Sequence, residues 1–266
     1  MTQLPSLQEL LSLEGKVVAI TGAGSGIGKA TARRVAEAGA TVILADMNED
    51  NVKELRTELE DGDYKVGTAI LNVLDLDSID QAIQQIVEQH DTIDAWVNIA
   101  GIFPGTDTLN MAEKEWDMML DINLKGSFFA AQKAAKVMVD QGKGGVIVNT
   151  HSTTAERPVP GLVHYVASKT GVDGLTRGLA KELGPKGIRV LAVSPTMVQT
   201  PGMADQKEGL SMAFGENPFE AYASQLPLQR LATPDEIARV MLFAISDLSS
   251  IMTGSILYAD AGDKLV

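Results

Sequence analysis

Residues 16–28 read KVVAITGAGSGIG, from Lys16 to Gly28. The first six are apolar apart from their ends, and the rest interleave glycine with small residues. A short apolar run stopped by glycines predicts a buried strand, Lys16–Thr21. Beyond the glycines, Ile27, Thr31 and Val35 recur at helical spacing up to Gly39, so a helix opens inside the glycine cluster. The unit is strand, tight turn, helix.

The same rhythm runs outward along the chain. Thr41–Ala45 (TVILA) predicts a second strand, and Val52, Leu55 and Leu59 a second helix. Lys65–Leu71, Ile93–Asn98, Gly145–Thr150, Arg189–Val193 and Ser255–Tyr258 predict further strands. Between them lie helical patterns at Ile79–Ile86, about Met111–Gln141 and Val163–Leu183. Thr233, Pro234 and Glu236 combine an N-cap, a proline in the first turn and a capping-box acid before Ile237, Val240, Met241 and Ala244. Strict alternation over the whole length predicts an α/β fold: one Rossmann-type, doubly wound parallel sheet, helices on both faces, three layers, a single domain. Ser6 and Glu9 have capping-box spacing, which predicts a short N-terminal helix packed on the body. The interval from Thr196 to Thr233 breaks the rhythm. Its stretch 197–223 carries Gly202, Gly209 and Gly215 with Met203, Met212, Phe214, Phe219 and Tyr222, and is expected to be a lid.

Composition closes off other classes. The chain has 266 residues, 45% of them hydrophobic, enough for a large core. With 22 basic and 35 acidic residues the net charge is −13, which argues against nucleic-acid and anionic-membrane partners. No cysteine is present, so disulfides, thiol nucleophiles and cysteine-held metals are excluded. The three histidines, His90, His151 and His164, lack metal-ligand spacing. No basic leader or apolar run of membrane length is found, and a cytoplasmic setting is expected. His90 is expected to end a surface helix, while His151 and His164 adjoin candidate catalytic residues and either face the cleft or pack.

The glycine turn has a chemical meaning. Glycines let backbone approach a pyrophosphate seated on a helix N-terminus. Asp46, at the end of strand two, stands where a carboxylate binds adenosine ribose hydroxyls. Such a carboxylate repels a 2′-phosphate, so NAD is expected over NADP. Tyr165 and Lys169 lie one helical turn apart on one face. The lysine is expected to lower the phenol's pKa and make Tyr165 a general acid or base. Ser152, at the end of strand five, lies where ligands bind in open parallel sheets, and can polarise a substrate oxygen.

Together these motifs resemble the short-chain dehydrogenase/reductase family, in its shorter, tyrosine-based branch, from about residue 14 to 262. TGAGSGIG at Thr21–Gly28 resembles the family's cofactor loop, VNIAG at Val97–Gly101 its NNAG element, and DINLKG its helix asparagine, Asn123. The resemblance implies Asn123, Ser152, Tyr165 and Lys169 as catalytic residues. Lys169 would hold the nicotinamide ribose, and Asn123 a water that links Lys169 to solvent. It implies cofactor contacts from Gly22, Ser25, Gly26, Ile27, Gly28, Asp46, Asn72, Val73, Asn98, Ala100, Gly101, Tyr165, Lys169, Pro195 and Thr200. This sequence departs from the family pattern at Ile99 (asparagine), Asn72 (aspartate) and Thr196 (glycine).

The expected activity is hydride transfer between NAD and a secondary alcohol or its ketone. A polyol or sugar is the first substrate reading, since LQELLSLEGK resembles the start of gluconate-type members. A hydrophobic cyclic alcohol, such as a steroid or terpenoid, is the second. A non-catalytic sensor of nicotinamide state is the reading from another class, and the intact Ser152–Tyr165–Lys169 set argues against it. Ala167, Gly171, Gly174 and Gly178 form a small-residue stripe on the Tyr165 helix. With the family's habit of pairing dimers, the stripe implies a homotetramer.

Overall fold

The structure is a computed structural model and describes residues 4–205 and 215–266. Seven parallel strands form one sheet: β1 (Val17–Thr21), β2 (Thr41–Asp46), β3 (Val66–Ile70), β4 (Ala95–Asn98), β5 (Gly145–Thr150), β6 (Ile188–Pro195) and β7 (Ile256–Ala259). Their order is β3-β2-β1-β4-β5-β6-β7, so chain direction across the sheet reverses between β1 and β4. The helices are α1 (Leu7–Leu11), α2 (Gly26–Glu37), α3 (Glu49–Asp61), α4 (Leu76–His90), α5 (Glu113–Leu120), α6 (Ser127–Asp140) and α7 (Val163–Leu183). After β6 come α8 (Pro201–Asp205), α9 (Pro218–Gln225) and α10 (Pro234–Ile245).

The apolar strands are covered on both faces. On one side Val18, Ile20 and Leu44 meet Val35 of α2, Leu55 of α3 and Met241 of α10. On the other, Ala19, Ile43, Trp96 and Ile147 meet Ile79 of α4 and Ala134 of α6. Alternate residues of β1 thus point to opposite cores, which is why the run has no polar period. The result is the expected three-layer doubly wound sheet. Arg34 of α2 ties that helix to α10 through Asp235, 2.6 Å away.

A buried polar string crosses the middle. Trp96 Nε1 donates to Asn98 Oδ1 at 2.8 Å, Asn98 Nδ2 to Asn149 Oδ1 at 2.9 Å, and Asn149 Nδ2 to Thr176 Oγ1 at 3.0 Å. Asn98 also donates to the Ser127 carbonyl at 3.0 Å. The string is satisfied at every link, so it locks β4, β5, α6 and α7 in one arrangement.

The capping box of α1 forms as read, and the helix packs on the turn after α10; none of its residues is fully buried, and Leu13, just after it, lies in the core. One expectation is corrected. The stretch Met111–Gln141 is not one α-helix. A π turn, Asp121–Gly126, joins α5 to α6. An apolar period locates a helical face but cannot reveal one widened turn, and such turns occur mostly at functional sites. Within 197–223, the stretch expected to be a lid, the described residues include α8 and α9. Gly209, Met212 and Phe214 lie outside the described residues. Met203, Phe219 and Tyr222 do pack, around Met197, Leu226 and Leu231.

Candidate active site

The cleft lies at the carboxyl ends of β1, β4, β5 and β6, where the strand order reverses. On its first side is the glycine turn. A methyl group on Gly28 would stand 2.0 Å from the Gly22 carbonyl oxygen, so only glycine lets α2 begin this close to β1. Gly22, at φ +68°, would carry a Cβ 2.8 Å from the Ala100 nitrogen. Thr21 Oγ1 fastens the loop after β4 by accepting the N–H groups of Ile99 at 3.0 Å and Ala100 at 3.1 Å.

Asp46 braces the turn. Its Oδ2 accepts the Gly24 N–H at 2.9 Å and its Oδ1 the Asn48 N–H at 3.0 Å. Ser25 caps α2 without a side-chain hydrogen bond, leaving the first N–H groups of this 12-residue helix without a side-chain acceptor. That donor set, aligned with the helix dipole, fits a pyrophosphate. Lys29 and Arg33 of α2 are held by acids of α3, Lys29 by Glu54 at 2.9 Å and Arg33 by Glu58 at 2.6 Å. Thr200 closes the far edge, its methyl 3.1 Å from where a Cβ on Gly26 would sit.

The other expected cofactor residues are placed unequally. Ile27, Gly101, Tyr165, Lys169, Pro195 and Thr200 line one cavity. Asn72 spends a lone pair of its side-chain oxygen on the Leu74 N–H at 3.1 Å. The Val73 carbonyl lies 2.8 Å from the Cβ position of Gly126, so the π turn passes close behind it. The Asn98 amide is used within the core string, and its carbonyl accepts the Thr150 hydroxyl at 2.8 Å.

The catalytic candidates converge from three elements. Ser152 stands two residues beyond β5, while Tyr165 and Lys169 sit on the first turns of α7. Lys169 is buried and donates to the Thr150 carbonyl at 2.8 Å. Its Nζ lies 5.6 Å from the centre of the Tyr165 ring. Phe103 meets that ring edge-on, with centroids 6.3 Å apart. Asn123, fully buried in the π turn, pairs with the backbone of Ile102: Oδ1 accepts its N–H and Nδ2 donates to its carbonyl, both at 2.8 Å. It also donates to Ser168 Oγ at 3.3 Å. Asn123 thereby fixes the loop after β4 against α7.

The electrostatics correct one expectation. Burial pushes the Tyr165 phenol up to about 12, and the hydrogen bond with Ser152 only partly offsets it. Burial also pulls the Lys169 ammonium down to about 8. Desolvation dominates in the chain by itself, so the Tyr165 phenol keeps its proton.

His90 ends α4, as read. His164 is buried away from the cavity, whereas His151 reaches its lining and sets Nδ1 3.1 Å from Ser194 Oγ. Burial lowers both imidazoles, keeping them neutral. The sequence reading missed Thr21, Phe103, Asn149 and Asp263. Thr21 had a signal, as the strand-end residue before the first glycine. The others touch the site only through tertiary packing.

Comparison with known proteins agrees with this geometry. Residues 22–263 match a family model described as enoyl-(acyl carrier protein) reductase. The chain is 40% identical over 252 residues to a 3-oxoacyl-[acyl-carrier-protein] reductase FabG of Thermotoga maritima, covering 95% of this chain and 99% of that one. It is 35% identical over 256 residues to a 3alpha-hydroxysteroid dehydrogenase of Mediterraneibacter gnavus, covering 96% and 99%. A gluconate 5-dehydrogenase from Burkholderia cenocepacia, solved with NADP and tartrate, superposes with a TM-score of 0.90 at 27% identity, covering 98% and 100%. With the glycine turn, the strand-end serine and the Tyr–Lys helix in place, the chain belongs to the short-chain dehydrogenase/reductase family of oxidoreductases.

Proposed function

We propose that this chain is an NAD-dependent oxidoreductase of a hydrophobic secondary alcohol or its ketone. The observation that carries the substrate class is the cavity wall. Ile102, Phe103, Val159, Leu162, Met197 and Met203 surround the catalytic groups, and among the described residues Lys169 is the only charged side chain lining it. That lysine is engaged with the Thr150 carbonyl. A sugar acid would bring a carboxylate with no cation to meet it, and a polyol would bring several hydroxyls to an apolar wall. The wall therefore favours the cyclic-alcohol reading over the polyol one. The relatives' names cover 3-oxoacyl, steroid and gluconate substrates, so they share the reaction and not the substrate.

Each catalytic group has a task in this reading. Tyr165, held protonated, gives its proton to the carbonyl oxygen on reduction and recovers it on oxidation. Ser152 orients that oxygen, and Lys169 holds the nicotinamide ribose. Asn123 keeps the loop after β4 in register and would hold a water that links Lys169 to solvent. The bound nicotinamide supplies hydride chemistry. NAD is favoured over NADP because Asp46 occupies the ribose end and the nearest α2 cations are paired elsewhere. A neighbour of the same fold was solved with NADP, so the NAD reading rests on Asp46 alone.

Two further parts belong to the proposal. The chain acts as a homotetramer in the cytoplasm, and 197–223 is a lid that sets substrate choice. No helix among the described residues is long and apolar enough to cross a membrane. The deciding experiment is NADH fluorescence with a panel of polyols, sugar acids, cyclic alcohols, their ketones and 3-oxoacyl thioesters. Turnover confined to cyclic alcohols and ketones is expected. Turnover confined to polyols would return the first substrate reading, and bound NADH with no turnover of any kind the sensor reading. Met212→Ala and Phe214→Ala are expected to reorder the panel while leaving NAD affinity unchanged; an unmoved ranking ends the lid.

A further inference from the structure

Asp263 lies in the turn after β7, far in sequence from every catalytic residue, yet 1% exposed. A buried carboxylate must be neutralised or fully hydrogen-bonded. This one is surrounded. Its Oδ2 accepts Thr153 Oγ1 at 2.6 Å, Tyr222 Oη at 2.6 Å and Thr196 Oγ1 at 2.9 Å. Its Oδ1 takes Arg157 at 2.5 Å. Arg157 in turn donates to Gln225 at 2.8 Å and sits 5.8 Å above the Tyr222 ring.

These partners come from separate pieces of the cavity. Thr153 follows Ser152, Thr196 follows β6, and Tyr222 is on α9; all three line the cavity. Thr196 stands where the family pattern has glycine, and its hydroxyl is spent on Asp263. The backbone that presents Asp263 is itself held in unusual conformations, with Ala261 at φ +53° and Gly262 at φ +86°. The left-handed region is uncommon for alanine and marks a turn that its surroundings enforce. The Leu228 N–H grips the Ala261 carbonyl at 3.2 Å, and Pro227 fills the place of a Gly262 side chain, 2.6 Å from the Cβ position.

We propose that Asp263 is a positioning residue that determines substrate specificity. It joins the loop after the catalytic serine, the loop after β6 and α9 into one wall of the substrate cavity. The carboxylate suits this task because it only accepts: three hydroxyls and a guanidinium can all point at it without conflict. An amide of the same shape would turn one NH₂ toward groups that themselves donate. The proposal rests on the oxidoreductase reading for its kinetic effect, and on geometry alone for its effect on α9.

The test uses Asp263→Asn in the full chain. The KM for the best alcohol of the panel is expected to rise at least about tenfold, with kcat changed much less and NADH affinity held within about twofold. Amide hydrogen exchange at residues 218–225 should quicken at least about tenfold, while β5 and β6 stay as slow as in the parent. Tyr222→Phe keeps the ring and removes one hydroxyl, so it should shift KM the same way by less. It also serves if Asp263→Asn does not fold. An unchanged KM in the folded variants would overturn the proposal. So would a fall in NADH affinity equal to the loss in kcat/KM, which marks general destabilisation. If no alcohol is turned over by the parent chain, the oxidoreductase reading fails; unchanged exchange in α9 would then still overturn the role of Asp263.

Discussion

Asp46 accepts the Gly24 N–H at 2.9 Å, so the residue expected to read the adenosine ribose also shapes the turn expected to hold the pyrophosphate. Charge and backbone geometry are coupled in one side chain. Asp46→Ala is therefore expected to do two things. It should cut the preference for NAD over NADP in kcat/KM by at least about tenfold. A like-charge contact near 4 Å costs on the order of 4 kcal/mol at an effective dielectric of about 20, so the parent's preference should be large. It should also weaken NADH binding, because the Gly24 N–H loses its acceptor. Equal use of both cofactors by the parent chain would refute the reading.

Tyr165→Phe keeps the ring against Phe103 and removes the proton. Turnover should fall by at least about 10²-fold, the usual scale for acid–base catalysis, with NADH affinity retained. Because burial holds the phenol at about 12, its base form is scarce near neutrality. Oxidation by the parent should thus quicken as pH rises from about 6 to 9, and the residual rate of the variant should not. A flat parent profile, with a full isotope effect on the transferred hydride, would remove the phenol from the proton's path.

Lys169 offers a test through stability. Its folded pKa is about 8 against an ordinary 10.5. Between these values the unfolded chain binds more protons than the folded one, so stability gains as pH rises through that window. Below pH 8 the fold bears the cost of a buried ammonium, on the order of 3 kcal/mol. Lys169→Met should therefore be inactive yet more stable than the parent at pH 7, with the gap in Tm closing between pH 8 and 10.5. Calorimetry across that range decides it; a less stable variant at pH 7 would show that the Thr150 hydrogen bond outweighs desolvation.

Gly171 would meet Leu124 of its own chain, 2.6 Å from a Cβ, but side chains at Gly174 and Gly178 would meet nothing within 4 Å. Only part of the small-residue stripe is thus explained by packing within one subunit. Light scattering should give close to four times 28.3 kDa. Gly174→Arg with Gly178→Arg should reduce that mass, since two cations on a close-packed helix face cannot both be buried. A 28.3 kDa parent would dismiss the assembly.

What the sequence made legible is what local physics controls. The apolar strands, the glycine turn, the capping boxes at Ser6 and Thr233, and the helical pair Tyr165 and Lys169 each depend on neighbours within a few residues. The failures share another cause. The π turn at Asn123 brings Gly126 close behind Val73, a contact between distant segments that no local period encodes. The phenol of Tyr165 is governed by how much water the assembled cleft admits, which no spacing encodes. Asp263 reads as an ordinary acid in a turn, because its partners Thr153, Thr196 and Tyr222 lie up to 110 residues away in sequence. Helical spacing placed Lys169 beside Tyr165 but could not say that its ammonium would turn to the Thr150 carbonyl.

The ion pair between Arg34 and Asp235 spans 201 residues and carries a consequence for how the chain matures. The helix that begins at the glycine turn rests on α10, so its seat is complete only when the distal part of the chain has condensed. Contacts of such long sequence separation form slowly. A dinucleotide that binds this seat would therefore be expected to stabilise the whole fold and not its amino-terminal half alone. Present at about 100 times its Kd, it would add roughly 2.7 kcal/mol to the apparent stability of the native state.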